Sequence, residues 1–396
     1  MTDRARAAGL TVKVLPSTRE LIDGVARLAD IRDLTPADLL GRRELQTRVE
    51  DAVGYLRNRR VLVTGAGGSI GSELCRQIAR YDPAELILLD RDESALHGAQ
   101  LSIYGRALLD GNDLVLADIR DREVMKDVFA TRQPQVVFHA AALKHLPLLE
   151  QFPVEGVRTN VLATCELLRL ARDTGVERFV NISTDKAADP ASVLGYTKRL
   201  SERVTAFFGA DTGRPYLSVR FGNVLGSRGS VLDVFQAQIA AGGPVTVTHP
   251  EVTRFFMTTA EAVELVLQAG AIGGPGEVLV LDMGDPVRIA DVARRLAEMA
   301  GPDIEVEFTG LRRGEKLDEV LFGAGELDHR PRHPLIAHVP VPPLAPRALD
   351  VFALDGDSRV LVATLAELCI AATRQVRDAR PTGEEVGDAH PAGSRR

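Results

Sequence analysis

The chain is poor in several kinds of residue, and each scarcity excludes a class of protein. Three cysteines, far apart in apolar helical contexts, predict core thiols in a reducing compartment rather than disulfides or a metal site. No apolar run reaches the roughly 18 residues of a transmembrane helix, and no secretory signal is visible. The net charge of −7 disfavours nonspecific nucleic-acid binding. We therefore expect a soluble, cytoplasmic protein without membrane span, metal or nucleic-acid partner.

Lysine is also scarce. The 48 basic residues include only six lysines, which are Lys13, Lys126, Lys144, Lys186, Lys198 and Lys316. Arginine keeps its proton near neutral pH, whereas a buried lysine can release it and act as a base. A chain this rich in arginine keeps lysine by chance or where arginine will not do. Thr184-Asp185-Lys186, followed by Lys198, places a hydroxyl, an acid and two amines close together, which predicts a catalytic stretch.

From Arg60 onwards, short apolar strands alternate with helical periodicity. This predicts an α/β fold of the Rossmann type, a doubly wound parallel sheet with a smaller C-terminal substrate-binding lobe. The predicted strands are Arg60–Thr64, Glu85–Asp90, Asp113–Ala117, Gln135–His139, Arg178–Ile182, Tyr216–Arg220 and 304–308. The predicted helices beyond residue 58 include 69–80, 289–300, 316–322 and 358–377.

Changes of composition predict five regions. Residues 1–58 form an N-terminal accessory segment, with a strand at 11–15 and helices from Thr18 and at 44–56. Residues 59–220 form an NAD(P)-binding domain, and 221–345 form mainly a substrate-binding lobe interleaved with the sheet. Residues 346–379 form a C-terminal helical segment. The polar residues 380–396 predict a disordered tail.

A glycine-rich run follows the first predicted strand of the sheet and opens a helix. Such glycines allow a tight turn and close approach to a pyrophosphate, and the helix N-terminus supplies amide donors. We therefore predict that the cofactor lies against Gly65, Gly68, Ser69, Ile70 and Gly71.

Charged residues at the next two strand ends bear on the choice of cofactor. Asp90 ends the following strand, where an acid suits the ribose hydroxyls of NAD. Arg91 comes next and suits a 2′-phosphate, so NADP stays open beside NAD. Asp118 and Ile119 are placed to cover the adenine, although Asp118 also suits a simple helix cap.

Further motifs extend the glycine run. They are His-Ala-Ala-Ala-Leu-Lys-His at 139–145, Ile-Ser-Thr-Asp-Lys-Ala at 182–187, Phe-Gly-Asn-Val-Leu-Gly-Ser-Arg-Gly-Ser at 221–230, Thr-His-Pro at 248–250 with Thr-Arg at 253–254, and Gly-Leu-Arg-Arg-Gly-Glu-Lys at 310–316. Together they resemble the extended short-chain dehydrogenase/reductase superfamily. Within it they resemble the UDP-N-acetylglucosamine 4,6-dehydratases of polysaccharide biosynthesis. The resemblance covers about residues 10–345 and implies the soluble part of the long, membrane-anchored branch.

The implied reaction needs a cofactor, an acid and a base close together. A hydride passes from C4 of the sugar to the nicotinamide, a base removes the C5 proton, an acid protonates the departing 6-hydroxyl, and the hydride returns to C6. The resemblance implies that Asp185 and Lys186 are this acid and base. Because neighbours on a strand point to opposite faces, a turn must bring them together. A surface ion pair is the alternative.

One position departs from the superfamily pattern. A tyrosine there stands four residues before the active-site lysine, but Leu194 stands four residues before Lys198. Tyr196 cannot replace it, because two residues along a helix turn about 200° around the axis. The long branch often has methionine at this position. The acceptor of the 4-hydroxyl proton stays open between Thr184, a water held by Lys198, and Lys186.

The resemblance also implies the rest of the site. Ala140, Ala141 and Lys198 would lie at the cofactor, and Lys144 and His145 near the cofactor or sugar, at the carboxyl edge of the sheet. Five later residues match positions that bind the nucleotide diphosphate in the family. A guanidinium group can donate two hydrogen bonds to one phosphate, and a carboxylate can accept from ribose hydroxyls. They are Asn223, Arg228, Arg254, Arg312 and Glu315.

We therefore expect an enzyme with tightly held NAD or NADP that converts UDP-N-acetylglucosamine, or a close UDP-sugar, to a 4-keto-6-deoxy product. Helices of this fold commonly pair between subunits, so we also expect a homo-oligomer. The alternative enzymes are a UDP-sugar 4-epimerase and a 5,6-dehydratase. Asp185-Lys186 favours water elimination, because epimerisation needs no such pair. A non-catalytic nucleotide-sugar-binding protein is the alternative of another class, supported mainly by Leu194.

Overall fold

The structure, a computed structural model, describes residues 13–14, 32–33, 54–106, 109, 111–301 and 303–378. Its centre is an eight-stranded sheet. The strands are β1 (Arg60–Thr64), β2 (Glu85–Asp90), β3 (Leu114–Leu116), β4 (Val136–His139), β5 (Arg178–Ile182), β6 (Tyr216–Arg220), β7 (Glu277–Leu281) and β8 (Ile336–Pro340). Their order is β8-β7-β6-β5-β4-β1-β2-β3. All neighbours are parallel except β7 and β8, so the predicted Rossmann-type sheet is confirmed.

Helices cover both faces of this sheet, and two further helices belong to a smaller lobe. They are α1 (Ser69–Ile78), α2 (Glu93–Tyr104), α3 (Arg122–Arg132), α4 (Leu146–Gln151), α5 (Pro153–Gly156), α6 (Thr164–Asp173), α7 (Val193–Thr212), α8 (Val231–Ala240), α9 (Thr259–Ile272), α10 (Ile289–Ala300) and α11 (Ser358–Asp378). A π-helical segment, Val157–Ala163, joins α5 to α6. Because both faces are covered, the strands are nearly continuous apolar runs. Val61 and Val63 pack on the side of α1 and α9, and Leu62 packs on the side of α3, α6 and α7.

A smaller lobe follows β6 and is built from paired short strands. Asn223–Leu225 pairs with Phe256–Thr258, Val245–Val247 with Val306–Phe308, and Thr253–Arg254 with Val287–Arg288. The lobe has its own apolar cluster, which includes Phe235 of α8 and Val292 of α10. β7 and β8 come from the same stretch of chain and return to the central sheet, as expected of an interleaved lobe. The exact region boundaries stay a prediction.

The C-terminal helix α11 packs on the sheet domain rather than on the lobe. Leu361, Leu365 and Cys369 of α11 are buried in the same apolar cluster as Val204 of α7. A 3-10 turn, Pro346–Val351, leads into this helix. No helix among these described ranges is long and apolar enough to cross a membrane.

The predicted helix at 316–322 is wrong, because this stretch is irregular. Its carbonyl groups bind elsewhere in the lobe. The Arg254 guanidinium donates hydrogen bonds to the carbonyls of Lys316 and Leu317, and the Thr253 amide also donates to the Leu317 carbonyl. These carbonyls accept from a distant segment of the chain rather than from amides four residues later, and no helical turn forms.

The N-terminal predictions are only partly covered. A two-residue strand, Lys13–Val14, lies inside the predicted strand at 11–15 and pairs with Arg32–Asp33. Gly54–Leu56, the end of the predicted helix at 44–56, is a 3-10 turn. The rest of that helix, the helix from Thr18 and the tail at 380–396 lie outside the described residues.

Candidate active site

The glycine-rich turn after β1 is closely packed against the chain that follows β4. Gly65 has a φ of +70°, and a Cβ built there would lie 2.6 Å from the Ala141 nitrogen. Asp90, at the end of β2, accepts a 2.9 Å hydrogen bond from the Gly67 amide. Its other oxygen accepts from the Asp92 amide at 3.1 Å. The turn is therefore fixed by the acid predicted to meet a ribose.

A cavity opens beside this turn at the carboxyl edge of the sheet. Eight predicted cofactor residues line it, namely Gly65, Gly68, Asp90, Arg91, Asp118, Ile119, Ala140 and Ala141. Thr159 lines it too, and its buried hydroxyl has no hydrogen-bond partner in the part of the chain described. Ser69, Ile70 and Gly71 form the first turn of α1 at the glycine end. A glycine cradle with a buried, unsatisfied hydroxyl fits a dinucleotide.

Asp118 is held by arginines at the far end of this cavity. Burial alone would raise its pKa, but the hydrogen bonds and charge of Arg120 outweigh that effect and lower it. Arg91 lies 3.6 Å from the same carboxylate and is more than half exposed. The cap of α3 is Asp121, whose side chain accepts from the Val124 amide. The interpretation of Asp118 as a simple helix cap is therefore wrong.

A 3-10 turn, Asp185–Ala187, follows β5 and brings the predicted acid and base together. The Lys186 Nζ donates to Asp185 Oδ1 at 3.0 Å, and the Thr184 hydroxyl donates to the same oxygen at 2.9 Å. Asp185 is completely buried, and its Oδ2 has no hydrogen-bond partner among the residues that the structure describes. The turn required after the strand is present, and the pair is not a surface ion pair.

Lys186 also faces the lobe. Its Nζ lies 3.4 Å from Asn223 Oδ1 and 3.9 Å from Glu319 Oε1. Glu319 is buried, which raises its pKa, and nearby Lys186 opposes that rise. The predicted acid and base therefore lie where the sheet meets the smaller lobe.

Lys198 lies deeper, below the end of β5. Its Nζ donates to the Ile182 carbonyl at 2.8 Å, and burial lowers its pKa to about 8. Leu194, one turn earlier on α7, is buried in the apolar cluster. The Tyr196 ring packs in that cluster, and the Cys369 thiol of α11 lies 3.7 Å from the Tyr196 carbonyl. Leu194 therefore brings no polar group to Lys198.

The predicted substrate residues after β6 lie across the glycine turn. The Arg228 guanidinium donates to the Gly67 carbonyl, and the Arg228 amide donates to Ser69 Oγ at 3.1 Å. Lys144 Nζ donates in turn to the Arg228 carbonyl at 2.7 Å. His145, the N-cap of α4, lies against Gly229. Lys144, His145 and Arg228 thus meet beside the cofactor turn.

The remaining predicted residues form a second group in the lobe. Arg254 is buried and donates to the carbonyls of Lys316 and Leu317, both at 2.9 Å. Glu315 accepts from the Thr248 hydroxyl at 3.0 Å and lies 3.4 Å from Arg254. The Arg312 side chain is 60% exposed and reaches Glu315 at 3.5 Å. Arg254 therefore anchors the 310–318 loop, and the charged Arg312 side chain stays mostly exposed.

The chain resembles known proteins over most of this structure. A family model described as polysaccharide biosynthesis protein matches residues 61–340. The chain belongs to this family. It is 44% identical over 326 residues to the probable polysaccharide biosynthesis protein EpsC of Bacillus subtilis, covering 81% of this chain and 54% of the relative. The chain thus spans about half the length of that relative.

Solved structures agree with the fold of this polysaccharide biosynthesis family member. The X-ray structure of Pen from Bacillus thuringiensis aligns with a TM-score of 0.65 and 28% identity, over 72% of this chain and 89% of Pen. DesIV of Streptomyces venezuelae, a dTDP-glucose 4,6-dehydratase with NAD and TYD bound, aligns with a TM-score of 0.59 and 23% identity, over 67% and 88%. Proteins named UDP-glucose 4-epimerase match as well. The predicted superfamily is confirmed.

Two residues of the site were missed in the sequence of this family member. Thr159 precedes Asn160 on a helical stretch, and nothing in its neighbours signals that its hydroxyl faces a cavity. Glu319 falls in the stretch wrongly predicted as a helix, where it would have been one polar residue among several. Only the contact between the 316–319 stretch and the turn after β5 reveals it.

Proposed function

We propose that this chain carries the catalytic part of an NAD(P)-dependent 4,6-dehydratase acting on UDP-N-acetylglucosamine or a close UDP-sugar. One observation carries the proposal: the contact between the buried Asp185 and the part-buried Lys186, made possible by the turn after β5. An acid and a base at one point suit the removal of water across C5 and C6. The related structure with NAD bound supports the cofactor.

The cavity at the glycine turn is where we place the cofactor. When bound there, a nicotinamide cofactor supplies the hydride acceptor for C4 and the hydride donor for C6. Gly65, Gly68 and the first turn of α1 would hold its pyrophosphate, and Asp90 would face the adenosine ribose. The fixed negative charge of Asp90 favours NAD, whereas the exposed Arg91 suits NADP.

Thr184 is the oxygen that we propose for the first proton transfer. Leu194 offers no hydroxyl, and the Lys198 amine is already bound to a backbone carbonyl. The Thr184 hydroxyl takes the proton of the sugar 4-hydroxyl while its own proton passes to Asp185, 2.9 Å away. Asp185 then holds the proton that the departing group needs.

Lys186 and Asp185 perform the elimination. The amine form of Lys186 takes the C5 proton, and the electrons of that C–H bond form the C5–C6 double bond. The C6–O bond breaks, and Asp185 donates its proton so that the oxygen leaves as water. Lys186 later returns a proton to C5, which restores both side chains. Arg254 holds the loop behind this pair, and Lys144, Arg228 and Arg312 supply charge for the diphosphate.

A UDP-sugar 4-epimerase is the second candidate, favoured by the relatives that carry that name. Mass spectrometry of the product separates the two, because epimerisation leaves the mass unchanged and dehydration removes one water. We expect UDP-N-acetylglucosamine to lose one water. A product of unchanged mass would support the epimerase, and a bound nucleotide sugar without turnover would support the binding protein. The homo-oligomeric state and cytoplasmic location stay predictions.

A further inference from the structure

We propose that Glu319, Lys316 and Asp189 form a proton relay that links the part-buried base Lys186 to solvent. This inference rests on the proposed function. Glu319 does not touch the sugar in this scheme. It acts through Lys186, as a positioning residue that exchanges the protons of that amine.

The geometry is a row in which lysine side chains alternate with carboxyl groups. Glu319 Oε1 lies 3.9 Å from Lys186 Nζ, and Glu319 Oε2 lies 3.6 Å from Lys316 Nζ. Lys316 Nζ donates to the Asp189 carbonyl and lies 3.5 Å from Asp189 Oδ2. The side chains change from 2% exposed at Glu319 to 20% at Lys316 and 70% at Asp189. The Lys186 side chain is 17% exposed, so the row leads from the part-buried pair, through the buried Glu319 carboxyl, to the surface.

Glu319 has an unused acceptor at the middle of this row. Its Oε2 is buried and has no hydrogen-bond partner within the described ranges. Both ion-pair distances exceed a hydrogen bond, so a proton passes by a small side-chain rotation or a bridging water. A buried carboxyl between two amines is suited to hold a proton temporarily, and its raised pKa agrees with that use.

The choice of lysine supports the same inference. Lys186 and Lys316 are two of only six lysines in the chain. Arginine at either position would keep the charge but could not pass a proton near neutral pH. Charge pairing alone does not explain why both positions carry lysine in a chain whose basic residues are mostly arginine.

In the proposed step, the proton taken from C5 makes Lys186 an ammonium group. That ammonium passes a proton to the Glu319 carboxylate. Lys316 then releases a proton at the surface beside Asp189 and takes the one held by Glu319. A solvent proton returns along the same row, so the proton delivered to C5 comes from water. Atoms and charges balance, and no other reactant is needed.

The test uses the full chain and UDP-N-acetylglucosamine carrying deuterium at C5, in ordinary water. We expect wild-type product without deuterium at C5. Glu319→Gln should turn over more slowly and retain deuterium, up to about one third, because an isolated lysine ammonium shares it among three hydrogens. Lys316→Met tests the outer step in the same way. Glu277→Gln is the matched control, since Glu277 pairs with His338 at the opposite end of the sheet.

Mass spectrometry and NMR of the 6-methyl product give the retained fraction. Folded Glu319→Gln and Lys316→Met proteins that lose deuterium as completely as wild type would overturn the relay. Loss of all turnover in both variants would also overturn the relay. Without the relay, Lys186 can still return to C5 the proton that it took, so some turnover should persist. Wild-type protein that forms no 6-deoxy product would overturn the proposed function itself, a result distinct from complete exchange.

Discussion

Lys198 Nζ lies 2.8 Å from the carbonyl oxygen of Ile182, the last residue of β5. The amine is buried below the turn that carries Asp185 and Lys186, and the hydrogen bond anchors it there. Burial disfavours its charged form and lowers its pKa to about 8, although the charge of Glu202 opposes that shift.

Replacing Lys198 should change how stability depends on pH. Below pH 8 the folded and unfolded chains both hold this proton. Between about pH 8 and 10.5 the folded chain has lost it and the unfolded chain keeps it, so wild-type stability rises across this window. We expect the free energy of unfolding of wild type, relative to Lys198→Met, to rise by up to about 3 kcal/mol across that window. Urea denaturation of both proteins at several pH values measures this difference. Unfolding free energies of wild type and Lys198→Met that change in parallel with pH would contradict the lowered pKa of Lys198.

Leu194→Tyr restores the residue type common at this position. Leu194 is buried in the apolar cluster, so the larger side chain should destabilise the protein by about 1–3 kcal/mol through overpacking. Because we assign the first proton transfer to Thr184, we expect turnover to stay level or fall. A thermal melt and a rate measurement check both expectations. A large gain in rate would show instead that the site has lost a needed tyrosine.

Asp185→Asn and Lys186→Met remove the proposed acid and base separately. Each should lower the rate of water loss by roughly 10²–10⁴, the usual contribution of a positioned acid or base. Nucleotide-sugar binding should persist, as isothermal titration calorimetry would show. Lys126→Met, on the exposed surface of α3, is the matched lysine control and should leave the rate unchanged. Similar rates for all four proteins would remove both residues from the mechanism.

Arg254→Ala should loosen the lobe behind the site. The Lys316 carbonyl loses its Arg254 partner and the Leu317 carbonyl keeps only the Thr253 amide, which costs about 1–3 kcal/mol where the Lys316 carbonyl stays buried. We expect a lower Tm and a higher KM for the UDP-sugar. Arg288→Ala is the control, because Arg288 lies opposite Thr253 in the paired strand but points its charge to an exposed Glu251. Equal changes of Tm and KM in the two variants would contradict a role of Arg254 in holding the lobe behind the site.

Local patterns predicted residues that surround the cavity at the glycine turn. The glycines at 65–71 and the acid at Asp90 belong to one strand-turn-helix unit and the next strand end, so short-range geometry places them. The sequence also predicted a turn after β5, because the side chains of Asp185 and Lys186 cannot meet while both residues belong to a strand. These features depend on few neighbours in the chain.

The lobe side of the site depends on contacts between distant residues. Helical periodicity at 316–322 predicted a helix, but Arg254 binds its carbonyls from more than 60 residues away, and no local pattern records that. Glu319 was missed for the same reason. Its contact with Lys186 joins the turn after β5 to a loop of the lobe, and only the folded chain brings them together.

Removal of water from a UDP-sugar by the Asp185–Lys186 pair is tested most directly by proton NMR of the full chain with UDP-N-acetylglucosamine in deuterated water. We expect a new methyl signal from C6 and replacement of the C5 proton by deuterium. An unchanged sugar spectrum, or a 4-epimer with no methyl signal, would contradict it.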